Sequence, residues 1–447
     1  MKKIQKFAMA FFVSALALGF ASCSSDDNEG KFELPSVGQA TTAISSSDLE
    51  MQKVTKSYVQ NVIYPTYQAL AKNARDLYST CTTLYKSAEA GTMTQSQINA
   101  ACEAFKNARR EWERSEAFLY GSASDNNIDP HIDSWPLDHD GLGSVLKDSK
   151  LIAGFKSENP EEFVSSNNEK FQSVLGFHGM EFVLFRNGQN RTVAALQANE
   201  TEEGLTSVKG IDELAFLAAV AGDVKNMTAL LEYTWMGDAA SNETKSVLQN
   251  NSYVFNSLRN NGFAANGTMC FGQNLLTPAQ NTGYRTWPGT INQIFVGGCS
   301  NICNEVQEQK LGQAWRVANH LGGNTEEGDP ESINYIESPY SHRSFVDYKD
   351  NIYSIKNTLY GTRNVDATTP ESNSIMALLQ SLNYSGYSDL QNALTEALKS
   401  LDDATAAQGY FVANPGSDAV KNAIDKIKAL DDELNAAGQW INQQNAK

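Results

Sequence analysis

The chain has 447 residues, 41% of them hydrophobic and 19% charged, and carries a formal net charge of −17. That apolar content excludes wholesale disorder, and so acidic a surface repels nucleic acid and anionic lipid headgroups while favouring cations or basic partners. With 11 prolines and 31 glycines set among Ala/Leu/Gln/Glu/Lys-rich stretches, the composition leans towards helix.

Residues 1–22 read as a secretory signal: Lys2, Lys3 and Lys6, an apolar run from Phe7 to Phe20, then Ala21-Ser22 ahead of Cys23. The apolar run is too short for a transmembrane anchor, and small residues just before a cysteine are the pattern of a lipoprotein signal, with Cys23 as the lipidated residue. The acidic tract Ser24-Ser25-Asp26-Asp27-Asn28-Glu29 resembles an export signal of surface lipoproteins. The expected location is therefore the outer membrane, surface-exposed or facing the periplasm, with lipid on Cys23 as the membrane contact and no other apolar run of spanning length. Residues 23–46 lack periodicity and read as a tether.

From residue 48 a helical period begins: Val54, Tyr58, Val62, Leu70, Ala74, Leu77, Cys81 and Leu84 mostly fall at three- and four-residue steps, with Pro65 as a kink. Ile98, Ala101, Phe105, Ala108, Trp112, Ser115 and Leu119 repeat the pattern up to Gly121, completing a helical pair. Cys81 and Cys102 on this pair could face each other in a bridge or serve as small apolar residues. Residues 122–140 break the helix yet contain Trp135. Further helices are predicted at about 168–186, 209–236, 291–320, 344–360, 372–405 and 417–442, and no alternating apolar strand of convincing length is present. The expected fold is all-α, with an N-terminal bundle over 47–265 and a C-terminal bundle over 266–447. Leu119-Tyr120-Gly121 recurs as Leu359-Tyr360-Gly361, a short echo that raises a pseudo-duplication of the two bundles.

The helix near residue 178 breaks its own apolar pattern. Phe171, Val174, His178, Glu181 and Phe185 follow one stripe, so an imidazole and a carboxylate take positions that should be buried. A His and a Glu three apart on one helical face can reach a single cation, although a structural His–Glu hydrogen bond accounts for the same pattern. Gly176, just ahead, would let another backbone approach.

Gly176-Phe177-His178-Gly179-Met180-Glu181 resembles the GxHxxE motif of the imelysin family. Trp112-Glu113-Arg114-Ser115-Glu116-Ala117-Phe118, Ile132-Asp133-Ser134-Trp135-Pro136-Leu137-Asp138 and Ser341-His342-Arg343-Ser344 with Asp347 resemble further segments of that family, in the same order. The resemblance implies two helical bundles packed together with the motif at their junction and a role in iron uptake. It implies a metal cation, iron first, or an iron-bearing ligand as the bound partner, together with an outer-membrane uptake partner. On this reading the metal residues are His178, Glu181, Glu116 and Asp133, supported by Gly176, Trp135, Asp138, Ser341, Arg343 and Asp347. Two alternatives stand beside it: a metallopeptidase of the imelysin type, and a recognition lipoprotein whose His–Glu pair is structural. The five histidines include no His-Glu-x-x-His, the usual arrangement of a zinc peptidase, so the chain reads as a binding protein before an enzyme.

Overall fold

The computed structural model describes residues 45–171, 173–202, 204–250, 270–278, 284–325 and 328–444. The signal segment, Cys23, most of the tether and the expected bundle boundary at 265/266 lie outside the described residues.

The fold is all-α, and its helices pack as two bundles around one continuous apolar core. Ser45 caps α1 (Ser46–Tyr58) by accepting from the Asp48 N–H. Where Pro65 was expected to kink the helix, a π-helical turn, Val59–Ile63, leads into α2 (Tyr64–Glu89). A wider turn relieves the clash between a proline ring and the carbonyl one turn back. A capping box between Thr94 and Gln97 starts α3 (Gln95–Glu113), which packs along α2. The α3 helix stops before the expected Gly121, where one local side-chain bond and one tertiary bond take the place of helical ones. Ser115 Oγ donates to the Trp112 carbonyl at 2.6 Å, and the Ala117 N–H donates to Ser354 Oγ at 3.0 Å.

The single helix expected over 168–186 is divided in the structure. A turn, Asn168–Phe171, is followed by a break and then by α4 (Gly176–Leu184), in which every residue is buried. Gly176 has a φ of +67°, which other residues adopt only with strain, so the helix has to restart there. A two-residue hairpin follows, pairing Phe185 with Asn190 and Arg186 with Gln189.

The longest helix, α5 (Gly210–Met236), packs mainly on α2. Contrary to the expectation that no second stretch could span a bilayer, Gly210–Ala239 is long and apolar enough to do so, but its apolar window is 94% buried within the protein. Its buried acids are each paired, as a core requires: Glu213 with Arg191 at 2.7 Å, Asp223 with His131 and Ser165, and Glu232 with the Ser241 N–H and Thr244.

Over 287–318, α-helical turns alternate with π-helical segments, Gln293–Ser300 and Glu305–Lys310. Helix α6 (Ser344–Tyr360) lies against α3 on one side and α7 (Tyr387–Gln408) on the other. The helix expected over 372–405 is likewise two, because Asn383 takes a left-handed conformation (φ 59°) after Ile375–Ser381 and ends it. Helix α8 (Asp418–Gln443) pairs with α7. Cys81 and Cys102 are free and buried, serving as small core residues.

Candidate functional site

The site is assembled from α3, α4, the segment after Asp129–Ile132, and the connection that enters α6. On α3 the four-residue step Phe105, Arg109, Glu113 carries a guanidinium and a carboxylate into the core, both completely buried. At Gly176 a Cβ atom would lie 1.9 Å from the Ile132 carbonyl oxygen. This close approach, available only to glycine, seats residues 132–133 on the start of α4 and places Asp133 beside His178. Trp112 Nε1 donates to Asp133 Oδ2 at 2.6 Å and fixes the carboxylate from the other side.

The loop before α6 closes the site. Ser338 and His342 both have positive φ, 54° and 56°, a conformation that non-glycine residues hold only where their surroundings enforce it. Between them the Tyr340 N–H (3.0 Å), the Ser341 N–H (2.7 Å) and Ser341 Oγ (2.6 Å) all donate to Glu181 Oε1. The other oxygen of Glu181 stands 3.7 Å from His178 Nδ1, while His178 Nε2 is 3.1 Å from Asp133 Oδ1 and 3.9 Å from Glu337 Oε1. Carboxylates thus flank both nitrogens of the imidazole. One ligand atom each from Asp133, His178 and Glu337 can be chosen so that all lie within 4.8 Å of one another.

Arg109 lies at the centre of these charges. Its terminal nitrogens bond Asp133, Glu337 and, at 2.5 Å, Glu113, and its Nε is 3.7 Å from Asp347. A buried lysine, Lys310, faces Glu337 at 3.1 Å and Glu305 at 3.5 Å. Ser338 Oγ donates to Asp347 at 2.6 Å and Arg343 approaches the same carboxylate at 3.4 Å. Carboxylates outnumber the cations around the site, an arrangement that burial penalises.

Titration follows from this crowding. Burial alone would lower His178, but Asp133 and Glu181 outweigh it and raise the imidazole to about 9. Burial alone would raise Asp133, yet Arg109 and His178 hold it well below the usual carboxylate range. Burial pushes Glu113, Glu116 and Asp347 up despite neighbouring cations, and Asp129 rises to about 8 through burial and the proximity of Asp133.

Of the residues singled out in the sequence, the structure brings together His178, Glu181, Asp133, Ser341 and Asp347, with Arg343 at their edge and Gly176 as the seat of the approach. Glu116 is buried one short step away, where its charged neighbours are Lys310, Glu113, Glu305 and Asp129. Trp135 is half-buried near the site, its ring 4.5 Å from that of Tyr335 and 5.5 Å from Lys310 Nζ. Asp138 is exposed and caps the helix His139–Lys147 by accepting from the Gly141 N–H at 2.8 Å.

Arg109, Glu113, Lys310 and Glu337 were not among the candidates. Arg109 is wholly buried. A signal existed for three of the four: Arg109 and Glu113 lie one position beyond Ala108 and Trp112, at the edge of the apolar face of α3, and Lys310 follows Cys299, Cys303 and Val306 at three- and four-residue steps. Glu337 sits in irregular backbone, where no period marks burial.

The imelysin family profile matches residues 63–437, most of the chain and all of the site. The chain belongs to the imelysin family. It is 29% identical over 148 residues to iron-regulated protein A of Synechococcus elongatus; the match covers 33% of this chain and 34% of that protein, about a third of the relative's length. Its fold is similar to the crystal structure of a protein described as an iron-regulated protein A precursor from Parabacteroides distasonis (TM-score 0.65, 23% identity, 89% of this chain and 96% of that one). It is also similar to an imelysin-like protein from Psychrobacter arcticum (TM-score 0.52, 14% identity, 88% and 95%). In this imelysin chain Gly176 admits the Ile132 backbone, His178 faces Asp133 and Glu337, and Glu181 ties α4 to the loop before α6.

Proposed function

We propose that this imelysin chain is an iron-handling lipoprotein of the cell envelope that takes a cation, iron first, or an iron-bearing ligand at the Asp133–His178–Glu337 cluster. The observation that supports the reading is the convergence of one imidazole and two carboxylates within 4.8 Å in a buried site. One nitrogen and several carboxylate oxygens form a donor set suited to iron and other first-row cations. His178 Nε2 and Glu181 Oε2 are buried without a well-formed hydrogen bond among the described residues, and Glu337 Oε2 and Asp347 Oδ1 make ion-pair contacts with Lys310 at 3.1 Å and Arg343 at 3.4 Å that a cation would have to share. In this reading Glu181, anchored by three donors from the 340–341 backbone and Ser341, orients His178 from Nδ1 so that Nε2 faces the ligand. Arg109 bonds the carboxylates of Asp133 and Glu337 that a cation would use, so cation entry requires its guanidinium to withdraw or share them.

A second reading has its own observation. With carboxylates at both nitrogens and a raised pKa, His178 as an imidazolium could itself be the cation that completes the cluster, making the site structural. Calorimetric titration of iron(II), iron(III), zinc and manganese, beside His178→Ala and Glu337→Gln, separates the two. Saturable binding to wild type, lost or at least about tenfold weaker in both variants, is expected. Equal weak binding by all three proteins would assign the histidine to structure.

A further inference from the structure

A groove of about 460 Å³ lies over the surface where α3, the start of α6 and α7 meet, and adjoins the buried cluster through Arg343, which reaches Asp347 at 3.4 Å. In a chain of net charge −17, its walls carry five cations, Lys106, Arg110, Arg114, Arg343 and Lys349, against Glu103, Asp350 and Asp402. Three of the cations, Lys106, Arg110 and Arg114, stand at four-residue steps on one ridge of α3, a like-charge ladder that helices ordinarily avoid. Facing them, Arg343 is the residue that precedes the first turn of α6 and Lys349 lies in its first half, where the helix dipole disfavours positive charge. Arg110 in the last turn of α3 and Arg114 at its C-cap gain from that helix's dipole, whereas Arg343 at the start of α6 does not.

The acids in the groove neutralise three of its five cations: Asp350 pairs with Arg114 at 2.7 Å, Asp402 with Lys349 at 2.5 Å and Glu103 with Lys106 at 2.8 Å, which leaves Arg110 and Arg343 without an acid of the groove. Arg110, 40% exposed, has a single carboxylate neighbour at 3.5 Å, Glu111, and that group is held more closely by Arg363. Arg343 has a buried Nε without a hydrogen-bond partner among the described residues. Between the two helices Tyr353 presents a ring with Arg114 5.6 Å and Lys349 5.4 Å from its centre, a flat floor flanked by cations.

We propose that this groove binds a multivalent oxyanion of the polycarboxylate or phosphate class, its charges spread between Arg110 on the α3 side and Arg343 and Lys349 on the α6 side. Arginine forks and a lysine across one cavity suit several anionic oxygens at once, and a single carboxylate would engage only part of them. The proposal does not depend on a cation in the buried cluster.

The test is calorimetric titration of the mature chain with citrate and with inorganic phosphate at low ionic strength, acetate serving as the monovalent control. Saturable binding of citrate or phosphate, weaker as salt is added and well above that of acetate, is expected, and whichever anion binds tighter assigns the class. The double variant Arg110→Gln/Lys349→Gln should bind about tenfold more weakly with an unchanged melting temperature. Asp402→Asn should bind more tightly, a gain that misfolding cannot produce. His178→Ala should leave anion binding intact, so failure here and failure of the buried cation site can be told apart. No binding of either anion, binding unchanged in the double variant, or binding lost in His178→Ala would overturn the proposal.

Discussion

Removing the guanidinium of Arg109 would leave Asp133, Glu113, Glu337 and Asp347 facing one another with no charge at their centre. Breaking a buried ionic cluster from one side costs far more than the cluster contributes to stability, because the desolvated partners remain. Arg109→Met should therefore lower unfolding stability by about 3–5 kcal/mol in urea denaturation, and an effect below about 1 kcal/mol would mean that the carboxylates are held neutral instead. His178 makes an opposite, pH-dependent contribution. Its folded pKa of about 9 lies above the ordinary value of 6.5, so protonation favours the folded state. The contribution is complete below about 6.5 and is lost as pH rises through 9. In chelator-treated protein the stability gap between wild type and His178→Gln should narrow over that window, by about 1.4 kcal/mol per unit of pKa difference at most. A gap that stayed constant from pH 6 to 10 would show an imidazole that does not titrate there. Neighbouring carboxylates move cation competition to higher pH than an isolated histidine would give, since protons must leave an imidazole they stabilise.

At the scale of elements, the restart of α4 sets the geometry of the site. A methyl at residue 176 would meet the Ile132 carbonyl at 1.9 Å in a backbone region that favours glycine, so either the 132–133 segment moves or the helix does. Gly176→Ala should cost about 3 kcal/mol or more in stability and abolish cation binding even though no ligand atom is removed. Full stability with binding intact would show that Asp133 is not seated by this approach. The interrupted stripe of α4 explains how much of the site was readable: there charged residues at core positions stand out against the helical period, whereas Arg109 and Glu113 lie one position off the apolar stripe of α3 and did not. Asp133 and Glu337 lie in short or irregular segments, where backbone direction changes every few residues and burial leaves no periodic trace. Asp133 was therefore reached through motif resemblance and Glu337 was missed. The helix breaks at 173–175 and 382–386 were missed for a related reason, because apolar residues continue through them while a left-handed Gly176 or Asn383 redirects the chain.

At the scale of the whole molecule, the acidic surface encloses a buried charge cluster, and the proposed lipid anchor would hold both at a membrane. If Cys23 carries that anchor, Cys23→Ala should move the protein from the membrane fraction to the soluble fraction; membrane pelleting that persists after a carbonate wash would refute the assignment. By itself the sequence determined the all-helical class, most helix positions including α5, α6 and α8, and the family, since helical period and local motifs are written within a few turns of chain. Only the tertiary structure decided which charges share a site. Arg109, Asp133, His178 and Glu337 are separated by as many as 228 residues, and what unites them is the crossing of α3 and α4 and one glycine contact. Coulomb energies and desolvation depend on distance in space, and a linear pattern carries no measure of that distance between segments so far apart.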